Sequence, residues 1–286
     1  TVDGADQISY DRHKPRNHVP DTLDAQIVKD AARFLQEGEK MQLQYAVQNT
    51  SRSIGTRISS HIVTKFGMRN SLQPDHLTIK LQGSAGQALG AFAAPGLKLE
   101  VAGEANDYVG KGLSGGTIVV RPAQISPLVA SENTIIGNTV LYGATAGYLF
   151  AAGRAGERFA VRNSGAKTVV EGCGSNGCEY MTGGISVVLG SIGANFGAGM
   201  TGGMAYLYDP KGLAAPMMNM ETLVTCPVTI PHWQDELKEL VTRHADETGS
   251  LKAADILQHW DQERHNFVQV CPKEMLVHLP APLSDA

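Results

Sequence analysis

The sequence is poor in charged residues, in aromatic residues and in cysteine. Charged residues make up 18% of its 286 residues, aromatic residues make up 6%, and the formal net charge is −4. Proteins that bind nucleic acid carry a basic patch or stripe, so this composition argues against a nucleic-acid partner. The four cysteines form no Cys-x-x-Cys pair, which favours reduced thiols over a disulfide scaffold.

Long apolar runs are also missing. No run of about 18 apolar residues is present that could cross a membrane, so we expect no membrane partner. The first residues, TVDGADQISYDRHKPRNH, are polar and lack the apolar stretch of a signal peptide. We therefore expect a cytoplasmic protein that is not exported on a signal of its own.

Glycine is the residue in excess. It accounts for 32 of the 286 residues, about 11% against a usual share of about 7%. Short apolar runs in the middle of the chain end in glycine or a turn residue, and these ends are Gly83, Gly103, Pro122, Gly153, Gly172, Gly190 and Asp209. The steps between them are 20, 19, 31, 19, 18 and 19 residues. The sequence therefore contains a repeat of about 19 residues, with an inserted loop in the long step.

This repeat predicts a stack of short parallel strands. A short apolar run punctuated by glycine cannot bury its face alone and has to stack on copies of itself. We therefore predict an all-β fold, a parallel β-helix built as a single-stranded solenoid with about 19 residues per coil. IVTKFG, which ends at Gly67, is a candidate further strand. Structural glycines are predicted at the turns of the coils, where the left-handed backbone favours glycine, and these are Gly103, Gly116, Gly153, Gly172, Gly184, Gly190 and Gly203.

The two ends of the sequence have a different pattern. Residues 22–37 place apolar residues on one helical face, and Gly38 follows as a C-terminal stop. MQLQYAV (41–47) and FVQVCP (267–272) are predicted strands. An apolar stripe predicts a further helix, and its members are Trp233, Leu237, Leu240, Val241 and His244. Another helix is predicted from about Ser250.

These patterns predict three parts along the chain. The parts are an N-terminal linker with a helix and strand (1–50), a glycine-rich β-helix (51–215) and a C-terminal helical cap (216–286). The flanking helices are expected to cover the exposed ends of the strand stack, which would otherwise leave unpaired edges.

Three glycine triplets have the Gly-x-Gly-x-x-Gly spacing of a dinucleotide-binding loop, and they begin at Gly110, Gly172 and Gly197. Such a loop needs a helix that opens at its third glycine. Strand-forming residues follow the triplets that begin at Gly110 and Gly197. After the triplet that begins at Gly172, only five residues precede the next glycine pair, which is too short for a helix. We therefore predict no cofactor-binding residue in this chain.

Two other parts of the sequence are candidate sites, a cysteine pair and a set of polar clusters. Cys173 and Cys178 could ligate a metal, but no second pair or histidine lies nearby in sequence, so we interpret them as small apolar fillers. Polar clusters at 103–112 and 153–162 leave open a β-helix that binds or hydrolyses a ligand on an outer face. Their charges do not recur at the repeat spacing, which favours structural ion pairs. We predict no catalytic residue and no metal ligand.

Long stretches of the chain resemble a known family. GEANDYVGKGLSGGTIVVRP (103–122) and the segments at 135–172 and 176–209 closely resemble the C-terminal glycine-repeat domain of the large (alpha) subunit of bacterial glutamate synthase. RSIGTRISSHIVTKFG (52–67) resembles the first segment of that domain, and the region from about 230 resembles the end of that subunit. The resemblance implies that the β-helix is right-handed. It also implies a structural role, in which the domain braces the amidotransferase and FMN-binding synthase domains of the same subunit.

The resemblance also implies the setting of the domain. The whole enzyme converts L-glutamine and 2-oxoglutarate to two L-glutamate with electrons from NADPH, using FMN and iron–sulfur clusters in the large subunit and FAD in a small subunit. The motifs for those steps are not found in this sequence, so we expect no cofactor in this segment. The expected partners are the other domains of the same subunit, with the small FAD-containing subunit as a further candidate. A stand-alone assembly subunit and self-association both stay open.

Overall fold

The computed structural model describes residues 20–68 and 72–284 of the chain. The helices are α1 (Leu23–Asp30), α2 (Ala32–Glu37), α3 (Thr56–Phe66), α4 (Pro231–Thr248), α5 (Leu251–Gln258) and α6 (Trp260–Glu263). The strands are β1 (Met41–Val47), β2 (Leu77–Ala85), β3 (Leu97–Ala105), β4 (Ser114–Arg121), β5 (Thr134–Ile136), β6 (Ala146–Ala151), β7 (Arg154–Ala155), β8 (Ser164–Val170), β9 (Thr182–Val188), β10 (Gly202–Tyr208), β11 (Leu223–Pro227) and β12 (Phe267–Pro272).

The described strands form one mostly parallel sheet. Its order is β1-β2-β3-β4-β6-β8-β9-β10-β12-β11, and β5 pairs beside this path with β3 and β7. Neighbours from β1 to β10 are parallel, whereas β12 pairs antiparallel with β10 and β11. Leu77 lies opposite Leu97, and Tyr148 lies opposite Lys167. The ladder therefore steps through the chain at about the spacing of the glycine repeat.

The prediction of an all-β, right-handed parallel β-helix is wrong. The described residues form a mixed α/β fold in which helices pack on a twelve-stranded, mostly parallel sheet. Ile27 of α1, Phe34 of α2 and Ile58 of α3 are fully buried in the main core. The helices are therefore part of the packing and not caps added to a finished solenoid. The glycine repeat reports the spacing of the strands but carries no information about these helices.

One segment has a different secondary structure from the predicted one. IVTKFG, predicted as a further strand of the repeat, lies in the second half of α3, which ends before Gly67. Ile62 in this segment is fully buried. The apolar spacing of α3 fits a helical face as well as it fits a short strand, and a run this short does not separate the two.

Alternate residues of the central strands enter two different hydrophobic cores. In β4, Ile118 and Val120 belong to the main core, whereas Val119 belongs to a second core. In β6, Leu149 and Phe150 divide in the same way, because successive side chains of a strand point to opposite faces. Helices α4 and α5 close the second core with Trp233, Leu237, Leu240, Val241, Ala253 and Ile256. The middle of the sheet is thus buried on both faces, as is typical of parallel sheets.

The two ends of the chain fold close to the prediction where the structure describes them. β1 spans Met41–Val47 and β12 spans Phe267–Pro272, as predicted. Gly38 ends α2 in the left-handed conformation with φ 72°. Residues 1–19 of the predicted N-terminal linker lie outside the described residues. Within 20–68 and 72–284, no helix is long and apolar enough to cross a membrane.

Candidate functional site

The seven predicted structural glycines lie in or just after strands. Four lie within strands, and these are Gly103, Gly116, Gly184 and Gly203; the other three, Gly153, Gly172 and Gly190, follow β6, β8 and β9. Positive φ angles occur at Gly103, Gly153, Gly172, Gly184 and Gly203. Gly116 and Gly190 have none. A structural role for the set stays a prediction.

The three Gly-x-Gly-x-x-Gly triplets do not open helices. Gly115 lies inside β4, and Gly202 is the first residue of β10. Gly177 is followed by a turn and then by β9. A dinucleotide loop places the pyrophosphate at a helix N-terminus, and the structure provides none at these positions.

Cys173 and Cys178 are fully buried. Burial raises the pKa of the Cys178 thiol to about 12. The pKa of the Cys173 thiol is raised further, first by burial and then by the nearby Cys178. Thiols ligate metals as thiolates, so this environment suits apolar packing. Among the described residues, no group of three or more His, Cys, Asp or Glu side chains is placed to hold a metal ion.

Two pockets lie at strand ends of the sheet, and the one with the larger volume lies beside the inserted loop of the repeat. Its volume is about 600 Å³, and residues from β2, β3 and the loop after Arg121 line it. The loop exposes three apolar side chains, with Ile125 95% exposed and Leu128 and Val129 each 56% exposed. This combination of a groove and an exposed apolar loop is typical of a surface that contacts another protein segment.

A second pocket lies where the chain leaves β9 and β10. Its volume is about 430 Å³. One wall consists of Gly190, Ser191 and Ile192 after β9, and α5 contributes Lys252. The remaining wall is mostly apolar, with Asp209 and Lys211 as its charged members, and its other residues are Leu189, Leu207, Tyr208, Pro210, Leu213, Ala214 and Met217. We call this cavity the Lys252 pocket.

A buried carboxylate fixes the start of α5 and so places Lys252. Ser250 is the N-cap of α5. Its hydroxyl oxygen accepts a hydrogen bond from the N–H of Ala253 at 3.0 Å, and its O–H donates a hydrogen bond to the Glu171 carboxylate. Glu171 follows β8 and is 1% exposed. The Nε2 atom of His244, which is fully buried in α4, lies 3.5 Å from the same carboxylate oxygen. Glu171 thus connects the sheet, α4 and α5 at one buried point.

Lys252 is half-buried and has no close acidic partner. Among the described residues, no carboxylate lies within 4 Å of its Nζ atom, which stands 5.9 Å from the centre of the Tyr208 ring. Burial lowers the pKa of Lys252; the Glu171 charge opposes this shift, and the Arg154 charge adds to it. A lysine with a lowered pKa in a concave site is a candidate for binding or chemistry.

Residues with hydrogen-bond donors line the same pocket. Arg154 Nη1 donates to the hydroxyl oxygen of Ser191 at 2.6 Å, which leaves the Ser191 proton available. Within residues 20–68 and 72–284, the backbone N–H groups of Gly190, Ser191 and Ile192 donate to no protein acceptor. Successive free N–H groups of this kind are suited to binding an anion.

Sequence reasoning did not find this site. Glu171 and Ser250 are 79 residues apart, and no motif connects them. Only the strand end before Gly190 was visible, because it belongs to the glycine repeat. Lys252 appears in the sequence as one polar position of an amphipathic helix, and its burial depends on the chain returning across the sheet.

The chain belongs to the GXGXG motif family, which matches residues 24–273. Among curated relatives, it is 60% identical over 289 residues to the glutamate synthase (NADPH) large chain of Azospirillum brasilense, covering 99% of this chain and 19% of the relative. The matched part is the C-terminal region of that large chain.

Other relatives carry related names. The chain is 49% identical over 228 residues to a ferredoxin-dependent glutamate synthase 2 of a Synechocystis species, covering 80% of this chain and 14% of the relative. It is 44% identical over 266 residues to a glutamate synthase (NADH) of Schizosaccharomyces pombe, covering 93% of this chain and 13% of the relative. The chain therefore spans less than a fifth of the length of these relatives.

Proposed function

We propose that this chain is the C-terminal scaffold domain of a glutamate synthase large chain. The observation that carries the proposal is the 60% identity to the NADPH enzyme of Azospirillum brasilense over 99% of this chain. The complete protein would then convert L-glutamine and 2-oxoglutarate to two L-glutamate with NADPH. The amidotransferase domain, the FMN-binding domain and the iron–sulfur clusters would lie in the rest of the polypeptide, and FAD in a small subunit.

A scaffold role is supported by the way α4 is fixed across the sheet. Lys98 Nζ of β3 lies 2.6 Å from a carboxylate oxygen of Glu247 near the end of α4. One turn earlier, the Arg243 guanidinium stands 3.8 Å from the centre of the Tyr148 ring of β6. Lys98 is only 12% exposed, and Glu247 is 16% exposed, so this pair is less screened by solvent than a surface pair. These contacts attach a long helix to β3 and β6 of the sheet, which suits an element that braces its neighbours.

The inserted loop offers a surface for such bracing. Ile125, Leu128 and Val129 are exposed on one short loop beside the larger pocket. Contiguous exposed apolar side chains mark contact surfaces more often than chance. Because the chain covers only 19% of the relative from Azospirillum brasilense, other domains of the same polypeptide are the natural partners for this loop.

The 286-residue chain alone is expected to hydrolyse no glutamine and to bind no flavin. The reason is that the proposed catalytic groups belong to other domains. The measurement is an ammonia-release assay together with a flavin absorbance spectrum, on chain shown to be folded by circular dichroism. Turnover of glutamine, or flavin bound in a one-to-one ratio, would contradict the non-catalytic assignment.

Substitution of Leu128 by serine in a complete large chain is expected to reduce the share of glutamine nitrogen that reaches glutamate. Glutamine hydrolysis itself should continue, because the amidotransferase site is elsewhere. The ratio of glutamate formed to glutamine consumed measures this effect. Leu251→Ser, at an exposed leucine that does not line this pocket, is the control and should leave the ratio unchanged. A normal ratio in the Leu128→Ser variant would show that the loop does not contact the catalytic domains.

A further inference from the structure

We propose that the Lys252 pocket binds a small organic carboxylate that carries an apolar body. The inference is independent of the scaffold role, since it concerns a cavity formed entirely by this chain. Three features of the cavity support it: an ammonium group without a carboxylate partner, a set of free donors beside it, and apolar walls around both.

The ammonium group of Lys252 is partly removed from water, since this side chain is half-buried. A charged group that is partly removed from water is costly unless it is paired. The Lys252 ammonium lies near Gly190, where an added Cβ would sit 3.3 Å from Nζ. The charge of Glu171 acts on Lys252, but Glu171 is buried and already accepts a hydrogen bond from Ser250. An anion in the pocket would supply the missing partner.

Asp209 does not fill this role, although it lines the same pocket. Its two carboxylate oxygens accept the backbone N–H groups of Leu213 and Ala214 at 2.8 and 2.9 Å. Asp209 therefore holds the loop that forms one wall of the cavity. Its charge is directed to that loop and not to Lys252, since no ion pair joins the two among the described residues.

Residues with hydrogen-bond donors that are unused among the described residues form one wall of the Lys252 pocket. The N–H groups of Gly190, Ser191 and Ile192 lie on one wall and donate to no described acceptor. The Ser191 hydroxyl accepts from Arg154, which leaves its proton for a ligand and brings a second positive charge close to the pocket. Together with Lys252, these groups match the two oxygens of a carboxylate.

The rest of the Lys252 pocket is mostly apolar and large enough for the body of an organic ligand. The cavity volume of about 430 Å³ lies in the range of small-molecule sites. Leu207 and Ala214 are buried in its wall, and Leu213 is 64% exposed at its mouth. The Tyr208 ring adds an aromatic surface beside the ammonium. An inorganic anion would leave these apolar walls in contact with water, so the geometry favours an organic anion.

The test is calorimetric titration with 4-phenylbutyrate, which joins a carboxylate to an apolar body. We expect saturable binding of one probe per chain, and binding weaker by about tenfold or more in Lys252→Met, which keeps the apolar stem and removes the charge. The uncharged 4-phenylbutanamide should lose affinity to a similar degree. Lys65→Met, at an exposed position of α3, is the matched control and should bind like the parent.

Other results would overturn the inference. Equal binding by Lys252→Met would place the probe elsewhere, and an affinity for inorganic phosphate equal to that for 4-phenylbutyrate would show that the apolar walls play no part. Absence of binding by the folded parent would also refute it. The same titration on a complete large chain separates two sources of the carboxylate. Binding there supports a free ligand, whereas binding to the 286-residue chain but not to the complete large chain would mean that a neighbouring domain fills the pocket, which would overturn the inference.

Discussion

Replacement of Gly184 by alanine is expected to lower the free energy of unfolding by about 3 kcal/mol or more. Gly184 lies in β9 with φ 82°, a left-handed conformation that costs an alanine about 1–2 kcal/mol. A Cβ atom would also stand 2.3 Å from the carbonyl oxygen of Ala166 and 2.8 Å from Asn163 Nδ2. That carbonyl accepts a hydrogen bond from Asn163 at 2.9 Å. Relief of the clash would therefore require movement of paired backbone in β8.

Gly38→Ala is the matched control for this prediction. Gly38 has a similar φ of 72°, but a Cβ atom there would meet nothing within 4 Å. It should therefore cost only the conformational part, about 1 kcal/mol. Urea denaturation followed by circular dichroism gives both values. Equal losses in the two variants would show that close packing of the strands at Gly184 contributes nothing.

Gly203→Val extends the test by one step of the repeat. Gly203 has φ 83°, and a Cβ atom would stand 2.7 Å from the carbonyl oxygen of Gly184. Ser186 of β9 pairs with Ala205 of β10, so both glycines occupy corresponding places on neighbouring strands. A strong loss of stability at both positions would support the structural role predicted for these glycines.

The strand spacing was predictable because each strand has the same local sequence pattern. An apolar run of four or five residues followed by glycine recurs at about 19 residues, and the ladder joins Lys98 to Thr117 and Tyr148 to Lys167. Helix ends at Gly38 and Ser250 were predictable for the same reason, since capping chemistry is local.

The fold class was not predictable from that repeat. Whether a stack of strands stands alone or is covered by helices depends on which face of each strand stays apolar. Val119, Phe150 and Val187 show that the second face of the sheet is apolar as well. Such continuous runs predict a sheet buried on both sides, and they are the signal that the all-β interpretation missed. The partner for that face, α4, begins more than 40 residues after Val187 in the sequence.

The Lys252 pocket could not be predicted from the sequence for a related reason. Its parts come from the ends of β9 and β10, a loop and the start of α5. The property that makes Lys252 a candidate is that no carboxylate among the described residues pairs with it. A sequence pattern shows which residues are neighbours along the chain, but not which are neighbours in space, so it cannot show this property. The buried Glu171 is equally inconspicuous, because a single acidic residue after a strand is ordinarily solvated.

Replacement of Glu171 by alanine is expected to lower the free energy of unfolding by about 3–5 kcal/mol. The Glu171 side chain is 1% exposed, accepts the Ser250 proton and lies 3.5 Å from His244 Nε2. Its loss leaves the Ser250 hydroxyl buried without its acceptor, removes the carboxylate beside His244 and opens a cavity between the sheet and two helices. Buried polar groups without partners are costly, so the effect should exceed that of an exposed acid.

Glu39→Ala supplies the comparison, because the Glu39 side chain is 49% exposed and its nearest approach to Arg33 is 4.0 Å. Exposed pairs contribute about 1 kcal/mol or less, so this variant should unfold close to the parent in urea. Glu171→Gln keeps an oxygen that can accept from Ser250 and should recover part of the loss. If Glu171→Ala were as stable as Glu39→Ala, the carboxylate would not hold α4 and α5 to the sheet. The placement of Lys252 would then need another cause.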